Sequence, residues 1–250
     1  MPDILADAFL REGVWLVGLA AFVGGIVRGF TGFGTAMVYL PVAGLFLTPF
    51  EALTTLIVKA LVGPLIHVPK ALRDGDPRDV ARLGLGALVA VPFGVWVLTL
   101  VTPEGFRWGV SLIALVLLVL LAGGVRFRGR LTGPLVYATG AVGGFLGGFV
   151  GLPGPPVIMM YLASTLPARV VRANLILYLI LADVLMLAAF GWKGLIVPSA
   201  IVLGLLLILP YMAGNWAGAL LFRPEAEVGY RRVAYGIIAG SAILGLPIWD

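Results

Sequence analysis

The chain has 250 residues, of which 61% are hydrophobic and only 12% are charged, against about 25% charged residues in soluble domains. With a mean hydropathy of +1.09, this composition predicts an integral membrane protein. The net charge of +5 does not indicate nucleic-acid binding, because the basic residues lie in short loops. The chain has no cysteine and one histidine, so we expect no thiolate site, no metal site and no cofactor.

Eight apolar segments follow along the chain, interrupted by a polar loop at 73–79 and a basic loop at 126–130. A membrane-spanning helix needs about 20 residues, and six segments fit one crossing each. These are 50–72, 80–101, 106–124, 170–191, 195–222 and 228–248. The other two segments, 14–47 and 131–164, are 34 residues long, and each carries a cluster of glycine and proline in its middle.

The two long segments resemble each other. Residues 23–32 (VGGIVRGFTG) and 142–151 (VGGFLGGFVG) are identical at six of ten positions. Later landmarks recur at nearly the same offset, for example Pro92 with Pro210. The sequence therefore predicts one transmembrane domain over 1–250 built by tandem duplication, with a first repeat at 14–124 and a second at 131–248.

The distribution of basic residues favours one topology. If each segment crosses once, the loop lysines and arginines divide 9 against 6 between the two faces. If the two long segments are hairpins that enter and leave on the same face, the division is 12 against 3. Because positive charge collects on the cytoplasmic face, we predict hairpins, an all-α polytopic fold and two inverted repeats, each a broken helical hairpin followed by three transmembrane helices.

The two predicted turns lie at 32–35 (GFGT) and 151–156 (GLPGPP). Each is followed by an apolar half-helix whose N-terminus would offer free N–H groups and the positive end of the helix dipole near the middle of the membrane. We therefore predict an anion site where these two ends meet between the repeats. Alternatively, the glycines only pack helices, which is the interpretation that we favour for Gly140, Gly144 and Gly148.

Ionisable residues inside the membrane are costly and often functional. Lys59 is the residue most expected to contact an anion, and Tyr178 is its counterpart in the second repeat. An internal carboxylate partner such as Asp183 is the alternative explanation for Lys59. Arg28 and Asp183 are possible coupling residues or charge partners. The pair Thr55 and Asn174 lies one turn earlier and would bond either the ligand or backbone carbonyls.

Residues 29–41 (GFTGFGTAMVYLP) and 52–57 (ALTTLI) resemble motifs of the sulfite exporter TauE/SafE family, and residues 143–161 repeat the first pattern. The resemblance covers nearly the whole chain. It implies a multi-pass protein of the bacterial inner membrane that transports small sulfur-containing anions such as sulfite and organosulfonates. The proline-rich second turn and Lys59 depart from the family pattern.

These observations together predict a secondary transporter that works by alternating access. The resemblance to the TauE/SafE family implies that it is an exporter. The predicted substrate-binding residues are Thr31, Gly32, Phe33, Gly34, Thr35, Thr55, Lys59, Gly151, Gly154, Asn174 and Tyr178. The alternatives are a channel, a transporter of another small carboxylate-type anion, and an intramembrane enzyme, for which the chain lacks any motif that pairs a nucleophile with a base. The expected partners are the anion and the lipid bilayer, and the oligomeric state stays open, a homodimer included.

Overall fold

The computed structural model describes residues 13–62, 68–124, 131–162, 164–221 and 227–249, and the secondary structure of these residues is entirely helical. The helices are α1 (Val14–Thr31), α2 (Thr35–Ala43), α3 (Pro49–Val62), α4 (Val68–Asp74), α5 (Pro77–Leu100), α6 (Pro103–Ala122), α7 (Gly133–Val150), α8 (Gly154–Tyr161), α9 (Ala168–Trp192), α10 (Pro198–Leu206), α11 (Ile208–Leu221) and α12 (Glu227–Gly245). Six stretches of described helix are long and apolar enough to cross a membrane: α1, α5, α6, α7, α9 and α10 with α11. The prediction of an all-α polytopic membrane protein is confirmed.

Two of the predicted single crossings each contain two described helices. Segment 50–72 contains α3 and α4, and residues 63–67 between them lie outside the described part of the chain. Segment 195–222 is divided at Leu207 into α10 and α11. Pro210 explains the division at Leu207, because proline has no N–H to donate to the carbonyl four residues earlier.

Both long segments break at glycine-containing turns, and the second of these turns is also rich in proline. The first helix ends at Thr31 and the next begins at Thr35, and the backbone φ angles of Gly32 (78°) and Gly34 (93°) lie in the left-handed region that favours glycine. The chain then reverses its direction, as the hydrogen bond that the Thr35 hydroxyl donates to the carbonyl of Gly24 over 3.3 Å shows. A continuous helix would separate these two residues by about 16 Å.

The second break has the same form. Gly151 has a φ of 69°, and the following Pro153 lies against Gly143 and Gly147 of the preceding helix. Both long segments are therefore broken helices that fold back on themselves, which is the geometry of a hairpin.

The described chain forms two compact units, and each unit draws on both sequence halves. The first unit contains the chain up to Lys59, Val101–Ala122 and the chain from Ile196 onward, and the second contains Ala60–Leu100 and Gly123–Leu195. Each broken hairpin therefore packs in a unit with helices from the other half of the sequence.

In the first unit, α1 lies beside α11 at very close range. A methyl group added to Gly25 or Gly29 would overlap the backbone of α11, and one added to Gly214 or Gly218 would overlap the backbone of α1. Since lipid competes equally well for apolar side chains, such backbone contact is how membrane helices gain packing energy.

In the second unit, α5 and α7 make the equivalent pair. The two helices run parallel, with Gly140 against Leu83, Gly144 against Ala87 and Gly148 against Val91. Tight packing by this glycine series, favoured from the sequence, is confirmed.

Contacts within the second unit also show that segment 131–164 turns back. The backbone N–H of Asp76, just before α5, donates to the Oδ1 of Asn174 in the first two turns of α9 over 2.8 Å. Gly133, at the start of α7, lies beside Arg82 near the start of α5. Helices α5, α7 and α9 therefore begin at the same end of this unit, so the chain from α7 to α9 must return to the end from which it started. A single crossing by segment 131–164 does not allow that return.

Candidate functional site

The first turn leaves backbone donors at the start of α2. Its first intrahelical bond runs from Val38 N–H to the Gly34 carbonyl (3.2 Å), and no side chain caps the helix. The N–H groups of Thr35, Ala36 and Met37 precede this first donor and therefore have no acceptor within the helix. These are the groups that bind anions at helix N-termini.

Threonine side chains hold this turn in shape. The Thr31 hydroxyl lies 2.9 Å from the Val27 carbonyl and 2.8 Å from the Phe33 carbonyl, and it accepts the Phe33 N–H over 3.2 Å. The Thr35 hydroxyl is bound to Gly24, whereas Gly32 is exposed. The structure thus places Thr31 and Thr35 as residues that fix the turn, and the backbone of α2 as its source of donors.

Lys59 is the most unusual side chain of the described protein. It is completely buried (0% exposed), and its Nζ makes no hydrogen bond to any described residue. This Nζ lies 2.7 Å from the centre of the Tyr39 ring, so the lysine side chain points toward α2. The carboxylate partner considered as an alternative is not found among the described residues.

The hydroxyl groups near Lys59 form a short chain. Tyr39 Oη and Thr55 Oγ1 are 2.6 Å apart, and Thr55 also donates to the Ala52 carbonyl (2.8 Å). All three side chains, Tyr39, Thr55 and Lys59, are buried. Sequence reasoning found Thr55 and Lys59 but missed Tyr39, whose one signal was a polar group within an otherwise apolar half-helix.

Lys59 lies at the depth of the first turn of α2. Helices α2 and α3 are joined by residues 44–48 and run antiparallel, with Thr55 opposite Tyr39. Lys59 is four residues beyond Thr55, and Thr35 is four residues before Tyr39, so each lies about 6 Å farther in the same direction. The buried Nζ of Lys59 and the free N–H groups of α2 therefore belong to one region of the first unit.

The second turn offers much less to an anion. Pro153, Pro155 and Pro156 have no N–H, so the first turn of α8 retains only the Gly154 N–H as a donor. Gly151 and Gly154 are both buried. Prolines at the start of a helix are compatible with its formation, but they remove the groups that the sequence argument expected to bind.

The second-unit counterparts of Thr55 and Lys59 bond to the protein itself. Asn174 donates to the Tyr161 hydroxyl (3.0 Å) and accepts the Asp76 N–H. Tyr178 donates to the Gly140 carbonyl (3.3 Å). These bonds connect α9 to α8, α7 and the loop before α5. Among the described residues, the partners of Asn174 are a tyrosine hydroxyl and a backbone N–H, and not the backbone carbonyls considered from the sequence.

The two possible coupling residues lie in different units. Arg28 is half-buried on α1, in the first unit. Asp183 is half-buried on α9, in the second unit. Three buried polar atoms of the described residues have no hydrogen-bond partner, Lys59 Nζ, Thr54 Oγ1 and Ser111 Oγ, and all three belong to the first unit.

Comparison with known proteins identifies a family whose model covers most of the chain. Residues 17–244 match the family described as Sulfite exporter TauE/SafE. The chain is 27% identical over 250 aligned residues to the probable sulfite/organosulfonate exporter TauE of Cupriavidus necator, in an alignment that covers 93% of this chain and 94% of that relative. No solved structure matches the chain.

Proposed function

The chain belongs to the sulfite exporter TauE/SafE family, and on this premise we propose that it is a secondary transporter that exports a small sulfur-containing anion across a bacterial inner membrane. The name of the relative from Cupriavidus necator supports sulfite or an organosulfonate as the substrate class. The helical spans supply the membrane domain that such a carrier requires.

The buried Lys59 side chain, whose Nζ has no hydrogen-bond partner in the described protein, is the observation that carries this proposal. A charged group taken out of water without a partner costs several kcal/mol, and ionisable residues at membrane depth usually serve function. Lys59 has no hydrogen-bond partner in the described protein. An anionic substrate would provide the missing partner, so the site is complete only when the anion is bound.

The substrate site that we propose lies in the first unit. Sulfite and sulfonates present three oxygen atoms, which would accept bonds from the Lys59 ammonium group and from the N–H groups of Ala36 and Met37 at the start of α2. The Tyr39–Thr55 hydroxyl pair lies beside Lys59 and would orient it. The second turn, with its single N–H donor, would have a smaller part than the symmetrical two-ended site suggests.

Alternating access between inverted repeats is part of the same proposal. The reciprocal packing supports it: α1 of the first repeat pairs with α11 of the second, and α7 of the second pairs with α5 of the first. Many transporters with inverted repeats bind substrate at broken helices and move one bundle against another.

The experiment that tests the function is counterflow of labelled sulfite in proteoliposomes that contain the purified protein, with sulfoacetate and acetate as competitors. A carrier gives saturable counterflow, and the proposal expects sulfoacetate to inhibit more strongly than acetate. Flux that rises linearly with concentration and shows no counterflow would identify a channel instead. Stronger competition by acetate would move the substrate class to carboxylates.

A further inference from the structure

Helix α12 extends past the N-terminus of α2 on the side where that helix presents its free donors. Gly34 lies beside Ile238, and Pro41 lies beside Gly245. Both steps along the chain are seven residues, or about 10.5 Å. The two helices therefore run parallel and in register within the first unit.

A polar pair occupies the face of α12 that continues beyond α2. Tyr235 and Arg231 precede Ile238 by three and seven residues, so they share its face and lie about 4.5 and 10.5 Å beyond the level of Gly34. Both are half-buried. The Arg231 Nη2 donates to the Tyr235 hydroxyl over 3.1 Å, and this bond holds the guanidinium along the helix.

Arg28 approaches the same region from α1. Gly24 contacts Thr35 at the start of α2, and Arg28 is one turn later on the same face of α1. It lies about 6 Å beyond the first turn of α2, in the direction in which Arg231 also extends. Stacking of Phe30 on Tyr230, with ring centres 5.0 Å apart, confirms that α1 and α12 meet there.

We propose that Arg28, Arg231 and Tyr235 form the entrance through which the anion reaches the site at Lys59, an assignment that rests on the transport function proposed above. Guanidinium groups bind the oxygens of oxyanions in pairs and keep their charge at all relevant pH values. Two of them ahead of a helix N-terminus raise the local anion concentration. Tyr235 positions Arg231 through the hydrogen bond between the guanidinium group and the tyrosine hydroxyl.

Arg232 provides a matched control, because it is adjacent in sequence but exposed on another face of α12. In proteoliposome counterflow of sulfite, Arg231→Gln is expected to raise KM about tenfold with Vmax unchanged, and to weaken the dependence of KM on ionic strength. Arg28→Gln and Tyr235→Phe raise KM in the same direction. Arg232→Gln removes the same charge and leaves KM within about twofold.

Equal effects of Arg231→Gln and Arg232→Gln would overturn the entrance and leave the transport function standing. A second readout needs no transport. Phenylglyoxal modifies the arginines of the intact reconstituted protein, and the modified residues are then identified by digestion and mass spectrometry of the peptides. Sulfite should protect Arg231 but not Arg232, also in Lys59→Met. If wild-type protein shows no sulfite counterflow, the transport function fails, and the entrance is then decided by this protection alone. Equal modification of both arginines with and without sulfite refutes it.

Discussion

Replacing Lys59 by methionine separates a ligand-binding lysine from a structural one. Methionine keeps most of the apolar length of the side chain and removes the charge. If the ammonium group binds the anion, transport loses a charge-assisted bond of about 2 kcal/mol, which raises the KM for sulfite about 30-fold. Because the removed charge has no hydrogen-bond partner in the described protein, folding loses only the contact of Nζ with the Tyr39 ring, worth about 1–2 kcal/mol, and this loss is offset by the relief of a desolvation cost of several kcal/mol.

The variant should therefore bind more weakly and unfold at the same or a higher temperature. Counterflow kinetics give the first value, and tryptophan fluorescence during heating gives the second without added label, since the chain has six tryptophans. The matched control is Lys70→Met, which removes an exposed lysine and should change neither value. A KM within twofold of wild type, or a clear loss of thermal stability, would refute the assignment of Lys59 to the substrate.

Three further predictions test the site, the packing and the topology. Ala36→Pro removes one N–H from the first turn of α2, as Pro155 does in α8, and should raise the KM for sulfite about tenfold, whereas Ala36→Ser keeps the N–H and the KM. Gly144→Ala places a methyl group against Ala87 and should cost about 1–3 kcal/mol, seen as a lower unfolding temperature, while Gly240→Ala, which meets open space, should not. Cysteines at Arg73 and Arg172 in this cysteine-free chain should both resist impermeant thiol reagents outside whole cells; reaction of only one would contradict the hairpin topology.

Local chemistry made much of the fold predictable from the sequence. Apolar stretches longer than 18 residues identify membrane helices because lipid leaves no other way to satisfy the backbone. The breaks at Gly32–Gly34 and at Gly151 were predictable because those residues adopt left-handed backbone conformations that other residues avoid. Lys59 stood out for the same kind of reason: a charge within an apolar helix is costly wherever the helix packs.

Only the tertiary structure decided which helices are neighbours and which polar groups are already bonded. Apolar faces look alike to lipid and to protein, so periodicity does not reveal that α1 packs on α11 or α5 on α7. The bonds of Asn174 to Tyr161 and Asp76, and the lack of a hydrogen-bond partner for the Lys59 Nζ among the described residues, depend on residues distant in the chain. In the sequence, Asn174 and Lys59 lie on equivalent apolar helices. The difference between an amide that has hydrogen-bond partners and an amino group that has none arises only when those helices pack.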